Sequence, residues 1–210
     1  MDLPETLPAR LYLLAYLPAR EHLAQRTDLG LLLRAAVLAD LLQRGLVRDE
    51  KGAPVPDLPA PALLDPLLAP TLEEIAESRP RRWERWITHG NHGAVRAVRD
   101  RLVEDGVLDL EQRRLLGLFP GLRPVLPDPE VRERLLAGFT AALTDPLPQV
   151  RPGQAALVAL VAEGRLRHLL PARERHARRE RIGELAVQAG PVPHALRKAL
   201  RARHSSYGGG

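Results

Sequence analysis

The stretch LLLRAAVLADLLQRGLV, residues 31–47, decides the fold. Leu33, Val37 and Leu41 fall on one helical face, Leu38 and Leu42 lie beside them, and the flanks are apolar as well. A helix that is hydrophobic nearly all round belongs in the middle of a protein rather than on its surface. The spacing predicts a helix over roughly 28–44, with Thr27-Asp28 as its cap and Arg44-Gly45 as its close. Arg34 interrupts this helix near its start. An arginine is rarely placed in a core without a partner, so Arg34 needs an explanation.

Working outward, QAALVALVAEGRLRHLL (154–170) is a second nearly all-apolar helix. LPARLYLLAYLP (7–18) reads as a short helix or strand followed by a turn. Residues 51–61 are a Pro-rich connector or hairpin tip. LLDPLLAPTLEEIAES (63–78) gives one or two short helices, with Thr71 and Glu74 spaced as a capping box. PRRWERWITHGNHG (80–93) carries both tryptophans at i, i+3, on one helical face. AVRAVRDRLVEDG (94–106) and VRERLLAGFTAALTD (131–145) are further helices, the second with Asp128 as cap. A basic helix is expected around 171–189 and another at 193–204, before a disordered tail at 205–210. VLDLEQRRLLGLFPGLRPVLPDPE (107–130) reads differently. Its apolar pairs flank the turn-like FPG, and Pro124 and Pro127 exclude a long helix, so it is a β-hairpin. Three helices end in Gly followed at once by apolar residues: QRGLV, EDGVL and EGRL.

The chain has 210 residues, 45% hydrophobic and 27% charged, which suits one domain with a substantial core. It has no cysteine, which excludes disulfides, thiol catalysis and zinc sites built on Cys. The net charge is +5, and 29 of the 31 basic side chains are Arg, Lys51 and Lys198 being the others. Arginine binds phosphate through a planar fork, where lysine is a point charge. The N-terminal MDLPETLPAR lacks the basic and apolar regions of a signal peptide. Runs such as AALVALVA (155–162) are too short to span a bilayer. A soluble chain is expected.

No catalytic motif stands out: there is no GxSxG, P-loop, HExxH or helix-opening GxGxxG. His89 and His92 could ligate a metal if a carboxylate approached, but a Gly-rich loop with exposed histidines is the commoner reading. Neither enzyme chemistry, metal nor cofactor is expected. The basic residues are more telling. Residues 165–181 hold seven Arg and two His against Glu174 and Glu180, either a solvated helix face or a contact for an anionic surface. Arg96 and Arg99, at i, i+3, can reach one anion from one face. Leu115, Leu116, Leu118, Phe119 and Leu122 crowd the hairpin tip. That tip is either buried or an apolar patch for a partner or membrane. Flanked by Arg113, Arg114 and Arg123, an exposed tip would suit a peripheral membrane protein, because burial and charge attraction add. A nucleic-acid reading rests on RDRLVEDGVLDL, which looks like the helix-to-wing passage of winged-helix regulators. No clear helix-turn-helix precedes it and aromatic platforms are scarce, so nucleic acid is not expected. A third reading has the hairpin joining copies of the chain into a homo-oligomeric scaffold.

Taken in order, these segments resemble the Golgi phosphoprotein 3 family in its compact bacterial form, over most of residues 7–200. LLLRAAVLADLLQRGLV looks like the family's LR-x-x-x-L-[IA]-[ED]-L-x-x-RG-x-[LI] helix, and AVRAVRDRLVEDGVLDLEQ like its R-x-V-R-x-R-L…LVE-x-GVL segment. LLGLFPGLRPVLPDPEVRERLLAGFTAALTD follows its hairpin and next helix, and QAALVALVAEGRLRHLL its central apolar helix. The resemblance implies a mainly α, single-domain helical bundle over 1–204, built around a central apolar helix with a protruding β-hairpin. Eukaryotic members are cytosolic, bind phosphatidylinositol 4-phosphate on Golgi membranes and help retain glycosyltransferases. Their headgroup pocket uses one Trp and several Arg. The resemblance therefore implies a peripheral, cytoplasmic protein whose partner is an anionic phospholipid surface, with Arg34, Arg96 and Arg99 in the headgroup site. Leu115, Leu116, Leu118 and Phe119 would form the membrane or oligomer hairpin. The pocket tryptophan has no counterpart, since the matching loop reads HLAQRTDL.

Overall fold

A computed structural model describes residues 2–17, 22–24, 27–57, 63–115 and 119–207. The apolar helix of the opening stretch is α2, Leu29–Gln43, and it buries twelve of its fifteen residues. The second apolar run is α7, Pro152–Glu163, buried without interruption from Ala155 to Ala162. These two helices lie against each other at the centre. A Cβ on Gly164, just past the end of α7, would stand 2.2 Å from Leu32 Cδ2 of α2. Only glycine permits that approach.

The other elements wrap this pair. They are α1 (Leu7–Ala15), α3 (Ala69–Glu77), α4 (Trp83–Thr88), α5 (Asn91–Glu104), α6 (Pro129–Thr144), α8 (Ala172–Ala177), α9 (Arg179–Gln188) and α10 (Val192–Tyr207). Three two-stranded antiparallel ladders join them: β1 (Tyr16–Leu17) with β2 (His22–Leu23), β3 (Val47–Glu50) with β4 (Ala53–Pro56), and β5 (Asp109–Leu115) with β6 (Phe119–Val125). The fold is mainly α, with the expected hairpin at β5–β6. Its register runs from Asp109 opposite Val125 to Leu115 opposite Phe119. The hairpin base is tied down by Tyr16, whose hydroxyl donates to the Pro124 carbonyl at 3.1 Å. The first part of the Pro-rich stretch is the tip and second strand of the β3–β4 hairpin, turned by Lys51 and Gly52 at φ 53° and 84°, while residues 58–61 lie outside the described residues. Two positive φ values in succession suit a tight hairpin turn.

Asp40 explains how α1 is held on α2. Its Oδ2 accepts from the backbone N–H of Leu7 at 2.7 Å, and its Oδ1 from Arg44 Nε at 2.7 Å. A buried carboxylate thus meets the free N–H groups at one helix start and a guanidinium from its own last turn.

The three Gly endings divide. After α2 and α5, Gly45 (φ 69°) and Gly106 (φ 68°) take the left-handed seat. The next residue's N–H bonds back to Leu41 and Leu102 respectively, the paired bonding of a Schellman close. After α7, Gly164 stays at φ −73° because its place is set by Leu32. Arg165 takes the left-handed seat at φ 52°, and Leu166 N–H bonds to the Val161 carbonyl.

Several local expectations are corrected. Asp28 does precede α2, but its side chain makes no cap bond and turns to His204 at 3.0 Å. Thr71 and Glu74 form no capping box: α3 begins two residues earlier, with Pro70 in its first turn, so Thr71 lies inside the helix. The HGNHG segment is not a loop throughout, since α5 begins at Asn91. The apolar run 154–170 leaves helix at Glu163, and the basic stretch 171–189 is broken into α8 and α9 at Arg178. α10 continues to Tyr207, into the stretch read as a tail, with the Ser205 and Ser206 hydroxyls on the Ala202 carbonyl. Asp128 caps α6 as expected, accepting from Glu130 N–H at 3.0 Å.

Candidate anion-binding site

Arg34 is the one residue between Leu29 and Leu41 of α2 that is not fully buried. Its side chain passes out between α3 and α4. Nη1 donates to Thr71 Oγ1 at 2.7 Å, and Nη2 makes a long contact of 3.5 Å to the Trp86 carbonyl. Nε is buried and has no hydrogen-bond partner. Gly90, at φ 70°, brings the start of α5 against the guanidinium: a Cβ there would lie 3.6 Å from Arg34 Cζ. Gly30 performs the matching service on α2, because a Cβ there would stand 2.2 Å from the Asn91 carbonyl oxygen. Burial pulls the Arg34 pKa below its ordinary value, and the nearby Glu74 charge partly opposes this. The group remains a cation at neutral pH, but a partly desolvated one with spare donor capacity. Such a cation gains more from an incoming anion than a hydrated one does.

The residues read as a capping box therefore serve this corner. Thr71 holds Arg34, and Glu74 Oε1 takes His89 Nε2 at 2.6 Å. Trp83 and Trp86 share one face of α4 as expected, and both are buried. Trp83 donates to Asp49 on β3, whereas Trp86 Nε1 is buried with no partner. His89 stands edge-on to Trp86 with ring centroids 6.2 Å apart, and Arg81 lies 5.5 Å over the Trp86 ring.

Beside this corner an open groove of about 740 Å³ is lined by Arg81, Arg82, Arg85, Thr88 and His89. Among the described residues, none of these three arginines has an ion-pair partner. In PRRWERW the tryptophans stand out in sequence by their i, i+3 spacing, and its arginines are not among the expected site residues. The available signal was charge density, since Arg79, Arg81, Arg82 and Arg85 crowd into seven residues with Glu84 as the only acid.

Arg96 and Arg99 come together, but on a carboxylate. Arg99 Nη2 lies 2.6 Å and Arg96 Nε 3.4 Å from Asp100. The Arg99 hydrogen bond, ahead of the opposing effect of burial, holds the Asp100 carboxyl below its ordinary range. Two guanidiniums share one acid, and the Arg96 side chain is 81% exposed. Among the described residues no contact joins Arg34 to either of them. Of the hairpin residues, Leu116 and Leu118 lie outside the described residues, while Leu115 and Phe119 form the last backbone pair before the tip. Leu122, one of the expected apolar group, is 60% exposed. Among the described residues no cluster of His, Cys, Asp and Glu could hold a metal, and no helix is long and apolar enough to cross a membrane.

The sequence agrees with one known family. The family model described as Golgi phosphoprotein 3 (GPP34) matches residues 7–203, nearly the whole chain. No curated protein matches it.

Proposed function

From the premise that the chain belongs to the Golgi phosphoprotein 3 family, we propose that it is a cytoplasmic protein that binds anionic phospholipid headgroups at a membrane surface. One observation carries the reading. A half-buried, incompletely bonded Arg34 touches the Trp86 carbonyl, beside a groove whose arginines, Arg81, Arg82 and Arg85, have no ion-pair partner among the described residues. A phosphate entering that groove meets the guanidinium forks of Arg81, Arg82 and Arg85 at the start of α4, and a planar fork is the group with which arginine binds phosphate most strongly. Arg96 and Arg99, with one positive charge in excess over Asp100, add attraction along α5. Leu122 on the hairpin offers apolar surface to the same membrane, where burial and charge attraction add.

The headgroup class is anionic rather than a single phosphoinositide, because this chain has no tryptophan in the loop where the family's pocket carries one. The test is flotation with vesicles. Wild-type protein should rise with vesicles of phosphatidylcholine and phosphatidylserine, and Arg81→Ser/Arg85→Ser should lose most of that binding with its helical circular dichroism unchanged. Undiminished flotation of the double variant would remove the groove from the site.

A second reading concerns assembly. Each hairpin strand, β5 and β6, has a single partner among the described residues, so each keeps an open edge. Open edges pair readily with another chain. Light scattering of the protein with and without residues 115–122 measures whether the hairpin joins copies.

A further inference from the structure

A second basic cleft, lined by none of the residues of the α4 groove, lies where α7 ends against α8, α9 and α10. It encloses about 810 Å³ and takes in six arginines: Arg165, Arg167, Arg175, Arg179, Arg197 and Arg201. That volume is within the range of small-molecule sites. Among the described residues only two carboxylates line it, Asp28 and Glu163.

Both acids are already engaged. Glu163, 14% exposed, takes Arg197 in a two-pronged pair through Nε at 2.8 Å and through Nη2. Asp28 takes His204 at 3.0 Å and Arg203 at 3.7 Å. Arg179 reaches only an exposed acid outside the cleft, Glu180, at 3.4 Å. Arg175 donates to the Ala162 carbonyl at 3.4 Å. Among the described residues Arg167 and Arg201 have no partner. The cleft therefore holds more cations than its own acids can balance.

Its construction follows from the core. The close contact of Gly164 with Leu32 forces the left-handed seat onto Arg165, and that turn delivers Arg165 and Arg167 to the cleft wall. α10 supplies Arg197 and Arg201 four residues apart, on one helical face. The turn after α7 and the helices α8, α9 and α10, four separate elements, thus line one concave space with arginines. An extended nucleic acid is a poor fit, because among the described residues no Phe, Tyr or Trp lines the cleft for base stacking. Several guanidiniums converging in a small volume match a compact ligand of several negative charges.

We propose that this cleft binds a compact ligand bearing two or more phosphate groups, either a free polyphosphate or a polyphosphorylated lipid headgroup. The inference stands apart from the membrane reading of the α4 groove, and the substitutions that test the two are different residues. Pyrophosphate is the soluble probe, titrated calorimetrically into the full chain. Phosphatidylcholine vesicles doped with phosphatidylinositol 4-phosphate are the lipid probe.

Arg167→Ser/Arg201→Ser removes two exposed, unpaired cations and should leave the fold intact by circular dichroism. It should weaken pyrophosphate binding by roughly tenfold or more, since two charge-assisted bonds are lost. Arg173→Ser, an exposed α8 arginine outside the cleft, should change it by less than about twofold, as screening of a distant charge requires. If only vesicle binding falls in the double variant, the phosphate source is the lipid and the cleft still stands. If wild-type protein binds neither probe, or if the double variant binds both as wild type does, the cleft is not a phosphate site. Equal weakening by Arg173→Ser overturns it as well, because diffuse charge would then suffice.

Discussion

Asp40 and Arg34 are two charged residues on the same buried helix, six positions apart, and they have opposite fates. At the Asp40 end every oxygen is used. One takes the first N–H of α1 and the other takes Arg44, both at 2.7 Å. At the Arg34 end the bonding is incomplete: one good bond to Thr71, one long contact to Trp86, and a buried Nε with nothing. Around Asp40 lies packed backbone. Past Trp86, whose carbonyl Arg34 touches, lies a groove with three arginines that pair with no acid among the described residues. A buried charge alone therefore says little about function. A satisfied one holds the fold, and an unsatisfied one beside an open groove keeps capacity for a ligand.

The comparison breaks most visibly at Asp40. Asp40→Ala leaves the Leu7 N–H and the Arg44 guanidinium without their acceptor, and should cost about 3 kcal/mol by urea denaturation. Vesicle binding per folded molecule should not change. A loss under 1 kcal/mol would mean that Asp40 is no more structural than Arg34.

The helix α1, which Asp40 holds at its start, should also be alkaline-sensitive. Burial raises the Tyr12 phenol on α1 from 10.0 to about 12. Below pH 10 both folded and unfolded chains keep the proton, so stability is full there. Between pH 10 and 12 the unfolded chain ionises and the folded one resists, so stability falls, by about 3 kcal/mol at most. With 29 arginines and only two lysines, little else with a basic side chain titrates in that window. Tyr12→Phe should flatten the decline, as followed by denaturation at stepped pH.

Gly30→Ala acts at the other end. Its methyl would collide with the Asn91 carbonyl and push the start of α5 from α2. Overpacking of this kind costs about 1–3 kcal/mol. Because Gly90 of the same segment lies on Arg34, vesicle binding should fall as well. Thr71→Val is the mildest change. It removes the strongest bond holding Arg34 and should cost about 1 kcal/mol, while Arg34 becomes freer to meet an anion. Headgroup affinity should then stay level or rise, measured by the same flotation assay.

Much of this was legible in the sequence because it is local. The apolar helix α2, the proline-marked hairpin and the Asp128 cap all rest on contacts within a few residues. Arg34's partners are another matter. Thr71 is 37 positions away, and its spacing to Glu74 is equally good for a helix cap. Only the placement of Pro70, which starts α3 early, decides between the two roles. The three Gly endings look alike in sequence, yet tertiary contact with Leu32 makes the third different and puts Arg165 in a cleft. Arg96 and Arg99 are neighbours on one helix, as their spacing predicts. Their shared acid, Asp100, lies between them and the ligand reading, and helical spacing alone does not reveal which way it turns. The α4 arginines were readable from charge density, but the tryptophans beside them drew the reading toward packing.

The most direct measurement is co-sedimentation of wild-type and Arg34→Ala protein with neutral, phosphatidylserine-containing and phosphatidylinositol 4-phosphate-containing vesicles at physiological salt. The account predicts binding to both anionic compositions, none to neutral vesicles, and marked weakening in Arg34→Ala with the fold retained. Wild-type protein left in the supernatant with every composition, or a variant that sediments as wild type does, would contradict it and return Arg34 to the same structural role as Asp40.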